Sequence, residues 1–79
     1  MILYDNNNQH PLTHITILLT PKEANELVRA LKRLTASPGD HYHMNDNAYT
    51  KEIALAIYTP ENIKYFAKEI RDILEQEMF

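Results

Sequence analysis

Ile15-Thr16-Ile17-Leu18-Leu19-Thr20-Pro21 and Ala54-Leu55-Ala56-Ile57-Tyr58-Thr59-Pro60 are two versions of one pattern, 39 residues apart. Each joins an apolar, β-prone run to a Thr-Pro pair and then to an amphipathic segment. The match continues downstream: Ala24 aligns with Ile63, Leu27 with Phe66, Val28 with Ala67, Leu31 with Ile70 and Leu34 with Ile73. A repeat of this length points to a duplicated supersecondary unit.

The Thr-Pro pairs read as helix starts. A threonine at the N-cap accepts a bond from a free N–H of the first turn. Proline at the first helical position gives up an N–H that would have had no partner there. Glu23 completes a capping box with Thr20. In the second unit that slot is Asn62, a poorer match, with Glu61 beside it to favour a helix N-terminus. Apolar residues then recur at 24, 27, 28, 31 and 34, and at 63, 66, 67, 70 and 73/74, which is a helical stripe in each unit.

Outward from these units, Leu12 to Leu19 and Thr50 to Tyr58 read as long strands. Ile2 to Tyr4 and His41 to Met44 are short strands that could pair with them. Asp5 to Gln9 and Asn45 to Asn47 are turns, and Ser37-Pro38-Gly39-Asp40 suits a type II turn. The expectation is α+β: a β-β-α-β-β-α repeat forming one antiparallel sheet of about four strands with two helices on one face. The chain is read as a single domain, 1–79, with units at about 1–36 and 41–79.

The strand phases differ between the copies. Ile15, Ile17 and Leu19 align with Ala54, Ala56 and Tyr58, whereas the bulky alternation of the second strand is Ile53, Leu55 and Ile57. Both faces of that strand are then apolar, as in a strand buried on two sides. Two helices cover one face, so a second chain is expected on the other. Ile53, Leu55 and Ile57 are the candidate oligomer interface of a homodimer.

Composition narrows the chemistry. Seventy-nine residues make a small domain whose core alone supplies little stability. There is no cysteine, so disulfides and thiolate metal sites are excluded, and a reducing compartment, the cytoplasm, is expected. No apolar run approaches the roughly 18 residues of a membrane span, and Met1 to Asp5 lacks the form of a secretory signal. The net charge is −3. The first helical segment is basic (Lys22, Arg29, Lys32 and Arg33 against Glu23 and Glu26), and the second is acidic. Without a basic excess or a known module, nucleic acid is not the expected partner.

His41-x-His43 is the most suggestive motif. In an extended segment alternate residues share a face, so both imidazoles point one way. Histidine and carboxylate suit a transition metal, and Asp46 follows, but no third and fourth ligands are specified. No metal or other cofactor is therefore assigned. His14-Ile15-Thr16 resembles the His-x-Thr element of two-histidine phosphoesterases, but the second unit has Ile53-Ala54-Leu55 in its place. The one serine, Ser37, lies in a turn, and a single glycine cannot build a phosphate loop. No catalytic residue is assigned. Aromatic residues anchor interfaces well, so His41, Tyr42, His43, Asp46 and Tyr49 form a candidate partner-binding surface.

The stretch Lys51-Glu52-Ile53 … Ile57-Tyr58-Thr59-Pro60-Glu61-Asn62-Ile63, after a leucine-rich helix headed by Leu19-Thr20-Pro21-Lys22-Glu23, resembles small bacterial immunity proteins of polymorphic toxin systems. The resemblance covers about residues 12–74. It implies a non-catalytic domain that binds and blocks a cognate toxin in the cytoplasm. The weak net charge departs from the acidic character of many inhibitors of nuclease toxins. The alternatives are a self-associating structural domain and a histidine-based metal-binding protein.

Overall fold

The computed structural model describes residues 1–77. The protein is a small α+β structure with two hairpins and two helices: β1 (Leu3–Asp5), β2 (His10–Leu12), α1 (Pro21–Ala36), β3 (His41–Asn45), β4 (Glu52–Ala56), a 3₁₀ turn (Ile63–Tyr65) and α2 (Lys68–Glu77). The strands form two separate antiparallel two-stranded sheets, β1–β2 and β3–β4. The expected single four-stranded sheet is not formed. Among the described residues no helix is long and apolar enough to cross a membrane. The chain divides into two compact units, Leu19–Asn62 and a unit comprising Met1–Leu18 with the segment from Ile63 onward.

In the Leu19–Asn62 unit, α1 begins as its sequence dictates. Thr20 is extended (φ −70°, ψ 161°), and both capping-box bonds are present. Glu23 N–H donates to Thr20 Oγ1 at 3.2 Å, and Thr20 N–H donates to the Glu23 carboxylate at 2.9 Å. The helix ends where Ser37 N–H donates to the Arg33 and Leu34 carbonyls, just before Pro38 stops it. Ser37 O then accepts Asp40 N–H at 3.0 Å to close a β-turn. Gly39 takes no positive φ, so this turn is not the expected type II.

The buried stripe of α1 is rotated from the expected one. Leu34 and Ala30 are 0% and 4% exposed, while Val28 and Leu31 are 50% and 44% exposed. Leu27, Glu23 and Glu26 are half-buried instead. The β3–β4 hairpin accounts for the rotation. Tyr42 Oη donates to Glu26 at 2.6 Å, and the Arg33 guanidinium lies 4.9 Å from the Tyr42 ring centroid. These contacts draw the Glu26 side of the helix inward.

The second Thr-Pro does not open a helix. Thr59 and Asn62 do exchange capping-box bonds: Thr59 N–H donates to Asn62 Oδ1 at 2.8 Å, and Asn62 N–H donates to Thr59 Oγ1 at 3.3 Å. The Asn62 amide nitrogen, however, also donates to the carbonyls of Ile57 and Pro38, at 2.9 and 3.0 Å. Asn62 is thereby a clasp between the end of β4 and the turn after α1. The chain continues through short i→i+3 turns and the 3₁₀ element. Ile63, Tyr65 and Phe66 are weak helix formers, which suits that outcome. Helix α2 starts only at Lys68, where Arg71 N–H donates to Ala67 O at 2.8 Å.

In the other unit, β1 pairs with β2 in the register Leu3↔Leu12, Tyr4↔Pro11 and Asp5↔His10. Proline is tolerated because each strand of a two-stranded sheet is an edge. Asp5 organises the loop, accepting from Asn7 N–H, Asn8 N–H and the Asn8 side chain. These bonds, the Asn8 side chain first, hold its carboxyl below the usual range. Leu74 of α2 is 2% exposed. Residues 13–19, expected as strand, have no regular structure.

Candidate functional site

The β3–β4 hairpin carries most of the candidate residues, and its register decides their fate. Opposite residues share a face: Tyr42 with Leu55 and Met44 with Ile53 on one side, His41 with Ala56, His43 with Ala54 and Asn45 with Glu52 on the other. The first face meets α1, as the Tyr42–Glu26 bond and the burial of Met44 (4% exposed) require. The second face is bare: His41, His43, Glu52, Ala54 and Ala56 are all exposed.

This register also places the residues of the expected oligomer surface. Ile53 and Leu55 are half-buried on the face that already has α1 as its partner. Ile57 lies just beyond β4, also half-buried, with its carbonyl accepting from Asn62. Nor is β4 apolar and buried on both sides. Its open face carries only two alanines and Glu52.

The two histidines do share a face. Their ring centroids are 5.1 Å apart and edge-to-face at 88°. Glu52 reaches diagonally across the ladder to His43 Nδ1 at 3.1 Å. The carboxylate thus orients one imidazole instead of converging with both on a common point. Among the described residues no group of three or more His, Asp or Glu side chains could hold a metal ion.

Tyr42 is separated from the histidines by the pleat. Its hydroxyl donates to Glu26, and that bond, with partial desolvation and the Glu26 charge, raises its pKa. Asp46 is a loop organiser. Its carboxylate accepts Thr50 Oγ1–H at 2.6 Å, Thr50 N–H at 2.7 Å and Lys51 N–H at 3.0 Å. These bonds, the Thr50 hydroxyl first, hold its carboxyl below the ordinary value of 3.8. Asp46 O accepts Tyr49 N–H, which closes the loop around a tyrosine with φ 55° and 81% exposure. The five candidates therefore resolve into a face (His41, His43), a tip (Tyr49) and two internal supports (Tyr42, Asp46).

Glu26, Arg33 and Asn62 shape this hairpin and were not singled out from sequence as its supports. Asn62 stands three residues after Thr59, the one clue to its bonding. Glu26 and Arg33 read as surface charges, because nothing local marks them as partners of Tyr42. No protein-family model matches the chain, and no curated protein or solved structure matches it.

Proposed function

We propose that this protein is a non-catalytic protein-binding domain of the immunity-protein kind, which blocks a cognate bacterial toxin in the cytoplasm by occupying its surface. The observation that carries the reading is Tyr49. A non-glycine residue in the left-handed region costs about 1–2 kcal/mol, and such strain concentrates at functional positions. Glycine or asparagine would hold the same turn more cheaply. Instead a large aromatic side chain stands almost fully exposed at the tip of a loop fastened by Asp46.

The bare hairpin face supplies the rest of the contact surface. Ala54 and Ala56 keep it low, so a partner's side chains can approach the strands. The ring nitrogens of His41 and His43 offer hydrogen-bonding groups to a partner. The test is co-expression with the toxin encoded beside the gene. The chain restores growth and co-purifies with the toxin, whereas Tyr49→Gly and Ala54→Arg lose both and still melt as folded proteins. Full protection by both variants would remove the site, and failure of the unaltered chain to protect would remove the immunity reading.

A further inference from the structure

The open face of the β3–β4 hairpin carries two imidazoles that the fold does not use. His41 and His43 are two apart on β3, both exposed, with ring centroids 5.1 Å apart and ring planes at 88°. A bound imidazole nitrogen lies about 2.0–2.1 Å from a first-row divalent ion, which puts the ring centre about 3.2 Å from it. Two imidazoles on one ion then have centres about 4.5 Å apart at a right angle and about 5.2 Å apart at the tetrahedral angle. The observed 5.1 Å falls inside that range. The ring planes are free to cross, because each ring turns about its own metal–nitrogen bond.

Glu52 supplies a second observation. Its carboxylate oxygen lies 3.1 Å from His43 Nδ1. A carboxylate only accepts, so in the neutral ring Nδ1 carries the proton and Nε2 the free lone pair. A carboxylate on the far nitrogen is the usual setting of a metal-bound histidine, since it fixes the tautomer and makes the ligand more basic. Among the described residues the His41 ring makes no hydrogen bond or ion pair, so either of its nitrogens is available. The strand residues of this face include no Lys or Arg, and Ala54 and Ala56 opposite the histidines leave room above the strands.

From this geometry we propose that His41 and His43 chelate one late transition-metal ion, Cu²⁺ ahead of Ni²⁺ or Zn²⁺, with Glu52 as the positioning residue behind His43. Imidazole suits these ions, whereas Mg²⁺ and Ca²⁺ take oxygen ligands, and affinity for a given site peaks at Cu²⁺. The pair is two ligands, not the three or more of a closed site, so water holds the remaining positions. The site does not depend on toxin binding.

The protein, purified without an affinity tag and stripped with a chelator, is titrated by calorimetry with copper, nickel and zinc chloride in turn. One Cu²⁺ binds per chain, more tightly than Ni²⁺ or Zn²⁺. Glu52→Ala keeps one ion per chain but weakens it about 10–100-fold, and Glu52→Gln, whose amide oxygen still accepts from Nδ1–H, recovers part of the loss. His41→Ala and His43→Ala each weaken binding more than Glu52→Ala does, whereas His10→Ala and His14→Ala leave it unchanged. All these side chains are exposed, so helical circular dichroism is the same throughout. Substoichiometric Cu²⁺ broadens the ring-proton resonances of His41 and His43 and spares those of His10 and His14. Copper bound equally well by His41→Ala or His43→Ala, or broadening centred on His10 or His14, overturns the site. Tighter binding of Ni²⁺ or Zn²⁺ overturns the choice of ion, and an unchanged affinity in Glu52→Ala overturns the role of Glu52.

Discussion

Asp46 does with one carboxylate what a tighter hairpin does with Asn-Gly: it gathers the loop's free donors and lets the strands meet. Its bonds favour the charged form, so its folded pKa is lowered from the usual 3.8. The sign follows from linkage. The stabilisation is fully present above the unfolded value and is lost as pH falls through the lower folded value. Asp5 shares this direction in the other hairpin. Urea midpoints measured from about pH 5 down to about pH 2 therefore fall for the unaltered chain and fall less for Asp46→Asn. Equal slopes would show that the carboxylate's charge is not what the loop uses. The turn at Asp46 was legible from its asparagine-rich surroundings. Its bonds to Thr50 and Lys51 were not, because several local donors competed equally for the same oxygen.

The two Thr-Pro sites show how far a local signal reaches. At Thr20 the box, the proline and a run of good helix formers agree, and α1 runs for 16 residues. At Thr59 the same box forms, yet Asn62 binds Ile57 and Pro38 and the chain turns instead. Capping bonds were legible in the sequence at both sites, whereas the remote carbonyls that engage Asn62 were not. The delayed α2 starts at Lys68, preceded at the N-cap position by Ala67, which has no side-chain acceptor for the first-turn N–H groups. Ala67→Ser is expected to stabilise the protein by about 1 kcal/mol, because it supplies the missing N-cap oxygen. An unchanged urea midpoint would mean that α2 begins elsewhere in solution.

Across the whole molecule the buried apolar set is short: Ala30, Leu34, Met44 and Leu74 among the described residues. Leu34 is fully buried, so Leu34→Ala removes side-chain contacts and leaves a void costing about 2–5 kcal/mol. In a chain this short a single hydrophobic core rarely supplies more than about 3–5 kcal/mol. The variant is therefore expected to be largely unfolded at 25 °C, read as loss of helical circular dichroism. A folded Leu34→Ala with an unshifted melt would place the stability elsewhere. The α+β class and the short hairpins were readable from periodicity and turn residues. Strand partnership was not, because pairing depends on non-local contacts that one sequence does not rank, as Leu12 to Leu19 shows.

Exposed backbone without regular structure is what proteases engage, and such stretches are preferred sites of nicking. The segment from His14 to Leu18, between the β1–β2 hairpin and α1, is such a stretch: its residues are exposed, Ile15 and Ile17 partly so, and none lies in a helix or strand. Cleavage there would sever the first hairpin from the helix without breaking any hydrogen bond of either. Limited proteolysis is therefore expected to cut first between His14 and Leu18.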